Sequence, residues 1–315
     1  MNKIPNREVV NDVLVEHAKT NKDIVVLASD SRGSAKLAPF AKTHHNQFVE
    51  TGIAEQNIVG VAAGLASCGK IPFVASPACF LSMRSVEQVK VDLAYSNTNV
   101  KLVGISGGIS YGALGMSHHS VQDLAVMRAI PGMTVVLPAD RFETQKMVEA
   151  LLETYGPTYM RIGRNPVEDV YDSLDYEFRL GKANVLYEGK DVTLIGAGET
   201  VRVVLDAALM LEKEGIHARV LNMHTIKPLD TEAIINAARE TGYILTLEEH
   251  SIYGGLGGAV SEVVAAQCPV KMEIMGIPDE PAVAGTTGEV FAHYGMTAEM
   301  ICQKVSAQLG KKKEA

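Results

Sequence analysis

A carboxylate that opens a helix otherwise free of charge is the first place in this sequence where chemistry could reside. In Gly52-Ile53-Ala54-Glu55-Gln56-Asn57, Glu55 stands at the start of a stretch running to Cys68 in which no further acid or base occurs. Held in a tight, apolar site, such a carboxylate loses solvation, gains proton affinity and can exchange a proton near neutral pH. The plain alternative is an acid favoured at a helix start by the macrodipole. A second candidate is the glycine-rich run Ser106–Ser120, SGGISYGALGMSHHS, which ends in His118-His119. Adjacent side chains diverge, so the pair does not suit chelation of one ion. One of them can face a strand-end cleft as a hydrogen-bond donor or acid–base group, and loops carry such roles as readily as they cap helices. His44-His45 has the same form with less glycine around it and is expected at the surface. Arg161 and Arg164 end the last predicted strand of the first half, Ser34 follows its first strand, and Arg7 opens its first helix. Single arginines are usually solvated surface groups, but two of them beside Ser34 suit a phosphate monoester.

Other motifs carry less. Gly196-Ala-Gly198 follows a strand and opens a helix, but the third glycine of a dinucleotide fingerprint is missing, and Asn222 and Met223 stand where an acid is wanted. Gly254-Gly255-Leu256-Gly257-Gly258 reads as close backbone packing at an interface. Cys68, Cys79, Cys268 and Cys302 form neither a disulfide framework nor a zinc-finger spacing, which suits a reducing cytoplasm.

The elements that must position these residues alternate throughout. Apolar β-branched runs at 24–28, 48–50, 71–75, 101–106, 134–137 and 158–162 read as strands, and helix-period stretches at 7–20, 54–68, 82–96, 121–129 and 141–155 lie between them. Asp140 is placed to cap the last of these helices. Small residues along 54–68 (Gly60, Ala62, Ala63, Gly64, Ala66, Ser67) predict a helix packed on several sides. Residues 164–190 lose the period, gain Asp, Tyr and Glu, and read as a connection. Alternation then resumes, with strands at 192–195, 217–222, 243–247 and 270–274 and helices at 200–213, 231–241, 255–266 and 297–309. The expected fold class is α/β: two doubly wound, mostly parallel-sheet domains, with ligands at the carboxyl ends of the strands.

Composition sets the outer limits. With 315 residues, 47% hydrophobic and 21% charged, the chain has the make-up of a globular protein of about two domains. A net charge of −8 argues against broad binding to nucleic acid or anionic membranes. The apolar stretch Ile58–Cys68 is too short to span a bilayer, the start MNKIPNREVV lacks the apolar run of a secretory leader, and the tail from Gly310 to Ala315 is expected to fray.

In combination, GIAEQN, IPFVASPACF, the glycine loop with SHHS-x-x-DLAVMR, MTVVLPAD and MRIGR resemble the pyrimidine-binding domain of transketolases. EGIHARVLNMHTIKPLD and LTLEEHSIYGGLGGAVSEV resemble the C-terminal domain shared by transketolases, deoxyxylulose-phosphate synthases and 2-oxo-acid dehydrogenase β chains. The resemblance covers nearly the whole chain and implies a pyrimidine-binding domain over 1–165, a linker over 166–190 and a transketolase C-terminal domain over 191–315. It implies thiamine diphosphate as cofactor and transfer of a two-carbon ketol unit between sugar phosphates. Glu55 is then the catalytic carboxylate that hydrogen-bonds and activates the aminopyrimidine, and His118 faces cofactor and substrate. Phe80 matches the aromatic that stacks on the pyrimidine, Asp30 an acidic position near the cofactor cleft, and Met83 one position of the family's aromatic cluster. Arg7, Ser34 and Arg164 match the positions that hold the sugar phosphate.

The family's Gly-Asp-Gly motif, which with a later Asn holds a divalent cation (Mg or Ca) on the diphosphate, does not occur here. The resemblance therefore implies the second subunit of a split transketolase, and the cysteine pattern the cytoplasm. An N-terminal partner subunit would carry that motif in an α2β2 heterotetramer, and no metal site would be built from this chain's own residues. Departures from the family pattern are Pro77 and Met83 in the aromatic cluster, Ser106 where a phosphate-binding histidine is frequent, and Leu114 in place of an acid that contacts a substrate hydroxyl. The last opens the identity of the sugar. Two other readings stay open: a dehydrogenase β chain or deoxyxylulose-phosphate synthase fragment, and a non-catalytic α/β interaction subunit.

Overall fold

A computed structural model describes residues 4–314. The first half runs α1 (Asn6–Ala18), β1 (Ile24–Ala28), α2 (Ala38–Thr43), β2 (Phe48–Glu50), α3 (Glu55–Ser67), β3 (Ile71–Pro77), α4 (Ala78–Met83), α5 (Val86–Gln88), a π-helical run (Val89–Tyr95), β4 (Lys101–Ile105), α6 (Asp123–Ala129), β5 (Thr134–Val136), α7 (Arg141–Glu153) and β6 (Thr158–Arg161). The second runs β7 (Asn184–Tyr187), β8 (Val192–Gly196), α8 (Thr200–Lys213), β9 (Ala218–Asn222), β10 (Thr225–Lys227), α9 (Thr231–Thr241), β11 (Tyr243–Ser251), α10 (Leu256–Gln267), β12 (Lys271–Ile277), α11 (Thr287–His293) and α12 (Ala298–Glu314).

Two sheets result, a seven-stranded one in the order β10-β5-β6-β4-β3-β1-β2 and a five-stranded one in the order β12-β11-β8-β9-β7. Among the described residues the strand pairings are parallel except β10 on β5 and β7 on β9. The central strands β1, β4 and β8 are buried along their whole length, as a parallel sheet covered on both faces requires. Helix ends follow local chemistry. Asp140 caps α7 by accepting the Glu143 N–H at 2.9 Å, and Thr286 and Glu289 cap α11 reciprocally.

The structure departs from the sequence reading in four places. The expected connection 166–190 contains β7, so the second sheet begins at Asn184. Strand β10, from the second half, adds to the edge of the first sheet beside β5, tying the halves together. The helix expected over 82–96 breaks into α4, α5 and the π-helical run. There the Ser82 and Ser85 hydroxyls back-bond to the Ala78 and Leu81 carbonyls, which disturbs a regular helix. Finally, α3 is not enclosed on all sides within this chain: Asn57, Gly60 and Gly64 are exposed, and a Cβ added at either glycine would meet nothing within 4 Å.

The halves share a buried polar seam. Arg161, at the end of β6, is 5% exposed and lies 3.6 Å from Asp123 and 3.4 Å from Glu249 of β11. Asn222 of the second half donates to Glu143 of α7 at 2.8 Å. Gly198 packs on Leu137, and Gly254 on Ala125, so both glycine motifs of the second half serve close packing across this seam.

Candidate functional site

The carboxyl ends of β1, β2, β3, β4 and β6 lie along one edge of the sheet, and the candidate residues lie on the loops and helices that leave them, apart from Arg7 at the start of α1. Glu55 is the first residue of α3 and is 5% exposed. The turn before it is fixed by Glu50, whose Oε1 accepts the Asp30 N–H at 2.7 Å and the Gly52 N–H at 3.1 Å. Asp30 adopts a left-handed backbone (φ 51°), and Gly52 (φ 69°) takes a conformation open to glycine. Asp30 thus flanks the Glu55 turn from β1 without touching Glu55 itself.

Beside Glu55 is a residue that sequence reasoning missed. Arg84 Nη1 lies 3.1 Å from both Glu55 carboxylate oxygens, and its guanidinium carbon sits 4.0 Å over the Phe80 ring centroid. Arg84 follows Phe80 by four residues, one helical turn, which was the available signal. From Phe80 the contacts continue. Phe80 and His118 rings meet edge-on at 5.2 Å, and His118 and Tyr111 do the same at 5.2 Å. Arg164 lies 5.1 Å over the Tyr111 ring. Tyr111 was also missed; it is the one tyrosine in the glycine loop, which has no phenylalanine.

At the far end, Arg7 Nη1 donates to the Ser34 main-chain carbonyl at 2.5 Å, so Ser34 enters through its backbone and leaves its hydroxyl free of that contact. Burial, then the like charge of Arg164, push the Arg7 guanidinium below its ordinary value. Arg7 Nε and Arg164 Nη1 are buried and have no hydrogen-bond partner among the described residues. Two neighbouring cations with unmet donors have the chemistry to pair with an anion.

The remaining candidates separate from this track. Met83 is exposed at 52%, at the end of α4 next to Arg84. His119 turns inward to the Gly112 carbonyl at 3.1 Å, and burial lowers its proton affinity. Arg161 is spent on the seam. Ser106, buried with φ 55°, has an unpartnered hydroxyl at the end of β4. Leu114 is 54% exposed on the loop. His44, half-buried just after α2, donates from Nε2 to the Val15 carbonyl at 3.0 Å. Among the described residues no cluster of three or more His, Cys, Asp and Glu is placed to hold a metal ion, and no helix is long and apolar enough to cross a membrane.

These donors and acceptors suit one end of thiamine diphosphate. A buried acceptor beside the half-exposed ring of Phe80 fits the pyrimidine end once Arg84 swings off both. The cations near Arg7 lie beyond His118 along the track, and no carboxylate cluster among the described residues accompanies them for a metal-bound diphosphate.

Comparison with known proteins adds to this geometry. The family model described as transketolase, pyrimidine binding domain, matches residues 2–168, and that described as transketolase, C-terminal domain, matches 181–301. The chain is similar to one of the subunits of the apulose-4-phosphate transketolase of Phocaeicola vulgatus, 55% identical over 302 residues and 96% of both chains. It is 40% identical over 295 residues to a 6-deoxy-6-sulfo-D-fructose transketolase subunit of a Clostridium species, covering 94% of this chain and 91% of that one. A solved split gene transketolase, described as an inactive beta4 tetramer, superposes with a TM-score of 0.89 at 41% identity, over 96% of this chain and 98% of that one.

Proposed function

The chain belongs to the transketolase family, and on that premise we propose that it is one subunit of a split, thiamine-diphosphate-dependent transketolase transferring a two-carbon ketol unit between sugar phosphates. The observation that carries this reading is the unbroken run of contacts from Glu55 through Arg84, Phe80, His118 and Tyr111 to Arg164. It places a buried carboxylate at one end and paired cations at the other, with a histidine between.

In this reading Glu55 accepts a hydrogen bond from the coenzyme's pyrimidine ring and holds its tautomer, and Phe80 supports the ring face. When bound, the coenzyme supplies the electron sink for the two-carbon fragment. His118 faces the reacting carbons and exchanges a proton with a substrate hydroxyl. Arg7 and Arg164, with the Ser34 segment, hold the phosphate and so orient the sugar toward His118. Asp30 and Met83 border the cofactor cleft. The diphosphate and its divalent cation belong to a partner subunit, in a tetramer of two chains of each kind. Support for a partner comes from relatives that are named as subunits and match this chain end to end, and from the open face of α3 with the exposed Ile53 and Met83. The substrate class is phosphorylated or similarly anionic ketoses. Relatives named for apulose-4-phosphate and a sulfo-sugar, together with Leu114, favour a donor other than the ordinary pentose phosphate. A cytoplasmic setting accords with four unpaired cysteines.

The test is Glu55→Ala, combined with the partner subunit and saturating coenzyme, assayed for ketol transfer. Loss of about a hundredfold or more in kcat is expected from removing such a group. Turnover near wild type, or decarboxylation of pyruvate by the wild-type complex in place of ketol transfer, would overturn the reading.

A further inference from the structure

The loop carrying Tyr111 and His118 belongs to the first domain by sequence, but its neck is built into the second. Gly108 and Ser120 close the neck by exchanging main-chain hydrogen bonds at 3.1 and 2.7 Å. The flanking side chains, Ile109 and Val121, are fully buried in the core of the second domain. Glu249 of β11 reaches across the seam, and its Oε1 accepts the Ile109 N–H at 2.8 Å. The Ser251 N–H donates to the Val121 carbonyl at 2.8 Å from the same strand. Gly108 takes φ 60° directly against Glu249, where a Cβ would lie 2.2 Å from the carboxyl carbon. Both sides of the neck are therefore gripped by one strand.

We propose that Glu249 is a positioning residue through which the second domain sets the placement of His118: its carboxylate fixes the Ile109 amide and so the neck of the loop. This rests on the function proposed above only in what the loop does once placed. Glu249 touches neither coenzyme nor sugar. A merely electrostatic role, as counter-ion to Arg161, is the competing explanation, because Arg161 Nη2 lies 3.4 Å from Oε2.

Two substitutions separate these. Glu249→Gln keeps an acceptor at the reach of the Ile109 amide and removes the charge. Arg161 keeps Asp123, 3.6 Å away, as its counter-ion in that variant. Glu249→Asp keeps the charge but withdraws the acceptor by about one carbon–carbon bond, roughly 1.5 Å. Hydrogen exchange over residues 108–120 in this chain alone, and kcat with the partner, are the readouts. Glu249→Asp is expected to speed exchange of the Ile109 amide and to lower kcat by about tenfold or more, with the KM for coenzyme unchanged. Glu249→Gln is expected to stay within about threefold of wild type in both. The proposal is overturned if Glu249→Asp matches wild type, or if Glu249→Gln is the more impaired of the two. The exchange measurement needs no turnover, so it stands or falls apart from the Glu55→Ala result.

Discussion

Arg84 spans both carboxylate oxygens of Glu55 at 3.1 Å while lying 4.0 Å above the ring of Phe80. The acid and the aromatic proposed to receive the pyrimidine are thus both in contact with one cation. A ring that takes both positions must break this pair. The Arg84 side chain is 49% exposed, so water screens the pair and its strength is modest. Arg84→Met should therefore tighten coenzyme binding by the complex, lowering the apparent Kd by about three- to tenfold. Titration of the assembled complex with coenzyme checks this, and weaker binding would show that Arg84 assists the site.

At the other end, removing a cation with unmet donors should affect recognition of the anion. Arg164→Met is expected to raise the KM for the phosphorylated sugar by about tenfold or more, with a smaller change in kcat. For the unphosphorylated sugar, variant and wild type should agree. Steady-state kinetics with both substrates measures the difference, and an equal loss on both would remove Arg164 from phosphate binding.

The seam makes stability depend on pH in a definite direction. Burial, with the nearby charge of Glu249, pushes Glu199 up to about 8, and burial pushes Glu143 up to about 7, against an ordinary value of 4.5. Both acids bind protons more tightly folded than unfolded. Their contribution is fully present below about pH 4.5 and is lost as pH rises through 7 to 8. The melting temperature should fall between about pH 4.5 and 8, and Glu199→Gln should flatten that fall. Thermal unfolding at constant ionic strength tests it; an unchanged slope in the variant would exclude Glu199 as its source.

Partner dependence gives a fourth prediction. On the proposed function these residues supply only the pyrimidine end of the coenzyme site, so the isolated chain should bind thiamine diphosphate and magnesium weakly. The complex should bind them tightly. Calorimetry distinguishes the two, and tight stoichiometric binding by this chain alone would contradict a shared site.

Much of the architecture was legible because it is local. A buried parallel strand shows itself as a short β-branched run and a covering helix as a 3.6-residue period, so β1, β4, β8 and α8 could be read directly. Asp140 declared the start of α7 through a bond to the amide three residues on. Two edge strands, β7 and β10, escaped. Strand β10 has three residues and no period, and what makes it a strand is β5, far earlier in the chain.

The sequence by itself determined the α/β class, the paired domains and Glu55, His118, Arg7 and Arg164 as residues to examine, and its resemblance to transketolases added Phe80. Residue type, spacing along one element and composition are all properties of neighbours in the chain. Only the tertiary structure decided that these residues form one continuous track. Only it drew in Arg84 and Tyr111, withdrew Arg161 into the seam, and brought Glu249 onto the neck of the loop around His118. Those outcomes rest on contacts between segments remote in sequence, where burial, pairing of charge and close approach at glycine are set by the packing of two sheets.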